Sequence, residues 1–145
     1  MKKIFAITLS LVLGFTMWAQ NDLKEIIGRL DSYRVKAEFT CKLDSDELRM
    51  DCKGTALAQG NCFVVKANGF EIYCDGSKLI IMDPAEKEAY IQDAEGLGSY
   101  LMENMSAVSE LKFQELRYLD KSKDLSAFSF DTGKLGKDWT VTDLR

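Results

Sequence analysis

Apolar and polar residues change their spacing shortly after the start of the chain. From Asp22 to Tyr33 the apolar side chains recur at the 3.6-residue period, which predicts a helix that Asp22 can cap. From Arg34 onward the period becomes two. The apolar positions of this second segment are Val35, Ala37, Phe39, Cys41 and Leu43. Strict alternation of this kind predicts a strand with one buried face and one wet face.

Turn sequences divide the next part of the chain into short strands. They are Asp44-Ser45-Asp46, Gly60-Asn61, Asn68-Gly69, Asp75-Gly76 and Asp83-Pro84. The apolar segments between them predict a meander of about six antiparallel strands. A turn centred near residue 46 places Cys41 opposite Cys52.

Two further hairpins set the predicted register of the following strands. A three-residue connection at Asn68-Gly69 sets Cys62 opposite Cys74, whereas a two-residue turn offsets them by one position. A turn at Asp75-Gly76 pairs residues of the next two strands on one apolar face. The predicted partners are Ile72 with Leu79 and Phe70 with Ile81.

The second half of the chain begins with a predicted helix over residues 95–112. Its apolar stripe consists of Leu97, Tyr100, Leu101, Met105, Val108 and Leu111. Residues 113–119 fit either a helix or a strand, and Ala127–Asp131 and Trp139–Leu144 predict two last strands. The expected fold class is α+β: a curved antiparallel sheet with one apolar face, whose concave side is covered by the two helices.

The first nineteen residues have the pattern of a secretory signal peptide. Lys2 and Lys3 precede an apolar run from Ile4 to Phe15, and Ala19 provides a small residue before Gln20. The run is shorter than the roughly 20 apolar residues that a membrane-spanning helix needs. We therefore expect an exported, periplasmic protein that is cleaved near Ala19 and Gln20, with a single domain over residues 20–145.

Charge and composition argue against several classes of function. The chain has 19 basic and 23 acidic residues, and its net charge of −4 does not suit a nucleic-acid surface. No histidine is present, so a Ser-His or Cys-His nucleophile pair cannot be built. The carboxylates that stand close in the sequence fall in a turn or on a polar strand face; they are Asp44, Asp46, Glu47 and Asp51. We expect a non-enzymatic protein without a cofactor.

Four cysteines lie between residues 41 and 74, and their wide spacing fits a zinc site poorly. In an oxidising compartment an even number of cysteines favours two disulfides, with free core thiols as the alternative. The sequence does not determine their connectivity. The hairpin registers favour Cys41–Cys52 and Cys62–Cys74.

Several sequence features occur in an order that resembles the LolA/LolB-like family of periplasmic lipoprotein carriers. These features are Phe39 in the first strand, Gly54-Thr55 leading the second, Phe63 in the next, the segment Cys74-Asp75-Gly76-Ser77-Lys78-Leu79, Met82-Asp83-Pro84 followed by Tyr90, and the terminal Val141-Thr142-Asp143-Leu144-Arg145. The four cysteines are not a general feature of that family.

The resemblance implies an unclosed β-barrel with helices as a lid over its concave face. It also implies that acyl chains of lipoproteins bind between sheet and lid, and that an inner-membrane release complex and an outer-membrane acceptor are partners of a monomeric carrier. Each methylene of an acyl chain that is buried contributes about 0.8 kcal/mol, so an apolar groove of modest size could hold a lipid in water.

The candidate lipid-binding residues come from the predicted sheet and from the predicted lid. The sheet residues are Phe39, Leu48, Met50, Phe70, Ile72, Leu79 and Ile81, and the lid residues are Leu97, Tyr100, Leu101, Met105 and Val108. Taken singly, each of them could also be an ordinary core residue. The alternative function is an interaction or sensor module on the same fold, which binds a polypeptide partner through an open sheet edge.

Overall fold

The computed structural model describes residues 24–45, 48–94 and 108–145. These residues form a short helix, α1 (residues 24–29), and one eight-stranded sheet. The strands are β1 (Tyr33–Ser45), β2 (Leu48–Gln59), β3 (Cys62–Ala67), β4 (Phe70–Cys74), β5 (Lys78–Asp83), β6 (Glu88–Asp93), β7 (Val108–Asp120) and β8 (Thr140–Asp143). Their order in the sheet is β7-β1-β2-β3-β4-β5-β6-β8. The end strands β7 and β8 do not pair, so the sheet is not closed, and the predicted open, sheet-rich fold is confirmed at this level.

The first hairpin has the register that the sequence predicts, and the second has its turn at the predicted residues. In the β1–β2 pair Cys41 lies opposite Cys52, and in the β2–β3 pair Gln59 lies opposite Cys62 across the Gly60-Asn61 turn. Gly60 has a φ of 58°, a conformation that glycine adopts without steric cost. The Gly60-Asn61 turn therefore fits the register of the second hairpin.

The β3–β4 hairpin corrects the predicted position of Cys62 relative to Cys74. Asn68 and Gly69 both have positive φ, 49° and 83°, which is the geometry of a two-residue hairpin turn. Phe63, not Cys62, consequently lies opposite Cys74. A shift of one residue sends a side chain to the other face of the sheet, so the register that favoured a Cys62–Cys74 disulfide is wrong.

The β4–β5 hairpin also differs from the prediction, but by two residues. Ile72 lies opposite Ile81, and Cys74 lies opposite Leu79. The reason is that the turn is centred on Gly76-Ser77, where the Asp75 side chain accepts hydrogen bonds from the backbone N–H groups of Ser77 and Lys78 at 3.0 and 2.9 Å. An even shift leaves every side chain on its predicted face.

The predicted helix over residues 95–112 is wrong at its C-terminal end, because strand β7 begins at Val108. Residues 113–119, which fitted a helix or a strand, belong to the same strand. β7 pairs antiparallel with β1, and its register shifts between Glu38 and Phe39 and again between Thr40 and Lys42. Pairing with β7 gives hydrogen-bond partners to the backbone N–H and C=O groups at the otherwise open edge of β1. This gain in free energy exceeds the helical preference that the spacing of the apolar residues indicates.

The last segment of the chain also departs from the prediction. Ser126–Phe128 and Thr132–Lys134 are 3₁₀ turns rather than a strand over Ala127–Asp131. The last strand is β8, which pairs with β6 in parallel. The segment between β7 and β8 crosses from one end of the sheet to the other. β8 therefore runs in the same direction as β6 and does not form a hairpin with it.

The sheet is apolar on both faces over β3 to β6, which corrects the expectation of one apolar face. One face, here called the helix-side face, is built from Phe39, Phe63, Ile72, Leu79, Ile81 and neighbouring residues, with Ile26 and Leu30 at α1 packed against it. The opposite loop-side face is built from Val64, Tyr73, Ile80, Met82, Ile91 and Phe128. Continuous apolar runs such as Leu79 to Met82 are typical of strands that are buried on both sides.

Helix α1 ends earlier than predicted, at residue 29, and Tyr33, which the prediction placed in the helix, begins β1. The Ser32 N–H bonds to the Arg29 carbonyl at 3.1 Å, a tightened turn that ends the helix. In the part of the chain that the structure describes, no helix has the length and apolar character to cross a membrane.

Candidate functional site

The structure brings the predicted sheet residues of the lipid site together on the helix-side face. Phe39, Ile72, Leu79 and Ile81 are all at most 5% exposed and belong to one cluster. Met50 and Phe70 are half-buried and pack against that cluster. Leu48 is the first residue of β2.

The helix-side face is less completely buried toward the β7 end of the sheet than at its centre. The half-buried apolar residues there are Met50, Ala56, Leu111, Phe113, Leu116 and Tyr118. Phe113 lies opposite Phe39 in the β1–β7 pair. The strands β2 and β7 therefore carry apolar surface that is covered only in part.

The predicted lid residues cannot be placed on this face. Leu97, Tyr100, Leu101 and Met105 lie outside the described residues, as does the first part of the predicted helix. Val108 is the first residue of strand β7, so its assignment to a lid helix is wrong.

Two clefts open beside the turn that joins β3 to β4. The larger, of about 490 Å³, lies over β2 and β3 and is lined by Lys53, Lys66, Phe70 and Glu71 among others. The smaller, of about 380 Å³, is here called the β1–β2 cleft. Its lining residues are Thr40, Cys41, Lys42, Asp51, Cys52, Lys53, Asn68, Glu110 and Lys112. Both clefts include Lys53 and Asn68, so the turn at Asn68 forms the rim between them.

Cys41 and Cys52 face each other across the β1–β2 pair and share a thiol–thiol hydrogen bond. Because Cys41 donates this bond, its own pKa is raised, and burial raises it further. The same bond lowers the pKa of Cys52, against the opposing effect of burial. Asn68 adds a second donor, with its Nδ2 at 3.4 Å from the Cys52 Sγ. The two thiols are thus chemically unequal.

Asn68 positions this corner of the sheet. Its side chain accepts a hydrogen bond from the Lys53 N–H at 3.1 Å and donates one to the Asp51 carbonyl at 3.0 Å. The amide therefore ties the β3–β4 turn to β2 on both sides of Cys52. Asparagine suits the position because it also tolerates the positive φ of the turn.

The other two cysteines lie on opposite faces of the sheet. Cys62 belongs to the loop-side cluster and Cys74 to the helix-side cluster. Burial raises the pKa of Cys62, and it raises that of Cys74 to about 11. All four cysteines are free thiols in the structure.

The neighbouring carboxylates of β1 and β2 lie where the alternation places them. Asp44 and Asp51 are exposed, and Asp44 accepts a hydrogen bond from Arg49 Nε at 3.1 Å. Asp46 and Glu47 lie outside the described residues. An exposed ion pair of this kind contributes little to stability.

The sequence interpretation missed the residues that cover the loop-side face. Phe128 is completely buried there, and Phe130, Leu135 and Trp139 pack around it. Gln59 is a buried polar residue that holds the same C-terminal segment. The apolar runs of β3, β5 and β6 were the signal that a second layer exists, although they do not say which segment supplies it.

A scan against models of known protein families finds no match for the chain, and a search of curated proteins finds no significant relative.

Proposed function

We propose that this chain is an exported, non-enzymatic carrier that holds the acyl chains of lipoproteins, or another lipid, on the helix-side face of its sheet in the periplasm. The observation that carries the proposal is that Phe39, Met50, Phe70, Ile72, Leu79 and Ile81 lie on the same apolar face of the sheet. Its centre is packed, whereas the residues that β7 and parts of β2 contribute to it are only half-buried.

The half-buried end suits a lipid better than a rigid ligand. Met50 and Phe113 lie at this end, on β2 and β7 respectively. Thioether side chains repack around irregular guests, and acyl chains have no polar groups that need partners in the groove. With about 0.8 kcal/mol for each buried methylene, eight covered methylenes contribute about 6 kcal/mol, which is within the range of about 4–15 kcal/mol that association costs. A LolA/LolB-like half-barrel is the fold that this proposal implies.

Native mass spectrometry tests the carrier directly. The protein is exported to the periplasm of a host cell, purified without detergent and sprayed under native conditions. We expect a mass excess that matches a lipid or an acylated peptide and disappears after solvent extraction. A bare mass, combined with no binding of an added fluorescent fatty acid, would rule out the carrier.

A pair of phenylalanines provides matched variants for the binding face. Phe113→Ser removes a half-buried ring from the helix-side face, and Phe130→Ser removes one from the loop-side face, where Phe130 contacts Tyr73 at a ring distance of 5.4 Å. We expect only Phe113→Ser to weaken binding of the fluorescent fatty acid, by about tenfold for a lost contact of about 1.4 kcal/mol. Equal binding in the two variants, both verified as folded by circular dichroism, would contradict the assigned face.

The second candidate function is an interaction module, and the position of β7 favours it. β7 is a 13-residue strand at one end of the open sheet. A strand edge can accept an extended peptide through backbone hydrogen bonds. If the purified chain carries no lipid and ignores the fatty-acid probe, but shows new backbone amide protection in β7 when a partner polypeptide is added, this function replaces the carrier.

A further inference from the structure

The strongest unexplained feature of the molecule is the asymmetric thiol pair beside the β1–β2 cleft. Cys41 and Cys52 are direct neighbours across two strands, so their sulfurs can join without a change of strand register. In a disulfide with a purely structural role, the two sulfurs do not need different surroundings. Here the Asn68 amide reaches only one side of the pair: its Nδ2 donates to the Cys52 Sγ at 3.4 Å.

The sheet is locally irregular where Cys41 lies. Thr40 pairs with Lys112 on β7 and Lys42 pairs with Ser109, so the β7 residues between them form a bulge next to Cys41. Glu110 in this bulge has a φ of 53°, an uncommon conformation for a residue other than glycine. Bulges interrupt the ladder and are frequent next to functional sites. The cleft of about 380 Å³ opens at the same place.

We propose that Cys41 and Cys52 form a redox-active dithiol that reacts with a small peroxide, in which Cys52 is the nucleophile and Cys41 the resolving thiol. Cys52 is suited to the first step because the thiolate is the reactive form, and the Asn68 amide donates a hydrogen bond to its sulfur. Both residues are at most 3% exposed, which favours a reactant as small as hydrogen peroxide over a bulky disulfide.

The reaction balances in two steps. The Cys52 thiolate sulfur attacks one peroxide oxygen, the O–O bond breaks, and the leaving hydroxide takes a proton to become water. The Cys41 sulfur then attacks the sulfur of the Cys52 sulfenic acid, the S–O bond breaks, and the second hydroxide leaves as water with the Cys41 proton. Two electrons pass from the thiols to the peroxide, and one disulfide and two waters result.

Peptide mapping tests the pairing, because trypsin cleavage after lysine and arginine places each cysteine in a separate peptide. Cys41 falls in residues 37–42, Cys52 in 50–53, Cys62 in 54–66 and Cys74 in 67–78. The full chain is reduced, desalted and treated with hydrogen peroxide. We expect peptides 37–42 and 50–53 to become linked, with the loss of two hydrogens. Failure of this link to form, or a link between any other pair, would overturn the proposal.

Sulfenate trapping with dimedone tests the assigned roles. Cys41→Ser keeps a hydroxyl donor to Cys52 but removes the resolving thiol, so dimedone should label peptide 50–53. In Cys52→Ser, dimedone should label Cys41 at least about tenfold more slowly than it labels Cys52 in Cys41→Ser, because the Cys41 thiol stays protonated. Equal rates at the two positions, or labelling of Cys52 no faster than of Cys74, would overturn the asymmetry.

Two further variants separate a chemical role of the neighbours from a structural one. Cys41→Ala removes the donor as well as the thiol, and Asn68→Asp keeps the positive-φ tolerance but replaces the amide donor with a carboxylate. Relative to Cys41→Ser, we expect trapping at Cys52 to slow in Cys41→Ala and in the double variant Cys41→Ser with Asn68→Asp. Unchanged trapping in both would contradict the assigned donors. None of these measurements involves a lipid, so their outcomes do not depend on whether the proposed carrier function is correct.

Discussion

Gln59 and Ser122 hold each other through two reciprocal hydrogen bonds. The Gln59 Nε2 donates to the Ser122 carbonyl at 2.8 Å, and the Ser122 N–H donates to the Gln59 Oε1 at 3.1 Å. Arg34 completes the arrangement, with Nε donating to the same Oε1 at 2.9 Å and an Nη to the Asp124 carbonyl at 2.7 Å. A side chain at the end of β2 thereby ties the segment after β7 to the sheet.

Gln59→Ala should destabilise the protein by about 2–3 kcal/mol, since it leaves the backbone groups of Ser122 and the Arg34 Nε without the amide that they bond. Urea unfolding followed by circular dichroism measures the change. Gln114→Ala is the matched control, because Gln114 is an exposed glutamine that makes one hydrogen bond, to Thr40. We expect that control to stay within about 0.5 kcal/mol of the parent. Similar values for both variants would show that the Gln59 bonds do not anchor the C-terminal segment.

Phe128→Ala should be among the most damaging substitutions in the chain. Phe128 is completely buried, and the Arg34 guanidinium lies 5.1 Å from the centre of its ring. Loss of a fully buried phenylalanine costs about 3–5 kcal/mol. Leu125→Ala, three residues earlier at a position that is 43% exposed, should cost less than about 1 kcal/mol in the same urea titration. If Phe128→Ala were as mild, the 3₁₀ turn would not complete the loop-side core.

Gly54→Ala and Gly28→Ala should change stability in opposite directions. A Cβ at Gly54 would lie 2.5 Å from both the Ala67 Cβ and the Lys66 carbonyl oxygen, so the backbone of β3 must move. Such overpacking costs about 1–3 kcal/mol. Gly28 lies in α1, and no atom from outside its own helix backbone and chain neighbours lies within 4 Å of its Cβ position, so alanine there should add about 0.5–1 kcal/mol.

Thermal unfolding of the two glycine variants distinguishes these cases. We expect the melting temperature to fall for Gly54→Ala and to rise for Gly28→Ala. A neutral or stabilising Gly54→Ala would mean that β2 and β3 do not approach as closely as their register at Gly54 and Ala67 indicates.

Stability should decline in alkali partly through Cys74. Burial raises the pKa of its thiol from 9.0 to about 11, so the unfolded chain releases this proton at a lower pH than the folded chain does. The contribution of the neutral thiol is complete below about pH 9 and is lost as the pH rises toward 11, by at most about 2–3 kcal/mol. Cys74→Ala should show a shallower fall over that interval.

Urea titrations at several pH values between 8 and 11 measure this slope for the parent and the variant. Cys74→Ala is expected to be less stable at pH 8, because it loses buried volume, and to approach the parent at high pH. Parallel curves for the two proteins would show that Cys74 has no raised pKa in the folded state.

The hairpins show how far local sequence can predict this fold. The turns at Gly60-Asn61 and Asn68-Gly69 lie where their residues indicate, and β3 has the predicted bounds. The choice between a two-residue and a three-residue turn at Asn68 determines whether Cys62 or Phe63 faces Cys74. That choice depends on backbone dihedrals at two residues, and composition alone leaves it open.

The candidate site was predictable to the extent that it depends on alternation. Phe39, Ile72, Leu79 and Ile81 share a face because residues two apart point to the same side of a strand, and an even error in the β4–β5 register did not change that. The thiol asymmetry of Cys41 and Cys52 could not be predicted. It requires the Asn68 amide, which a separate hairpin brings to the pair.

The sequence by itself determined the strand alternation, the turns and the register that places Cys41 opposite Cys52. It also determined that Phe39, Ile72, Leu79 and Ile81 share one face of the sheet. These features depend on residues that are near in the chain, where turn geometry and side-chain periodicity leave few alternatives. Only the tertiary structure decided that β7 pairs with β1, that β8 joins β6 in parallel and that Phe128 completes a second core. Those contacts join distant residues, and they are selected by the burial of apolar surface and the satisfaction of strand edges, which local propensity does not contain.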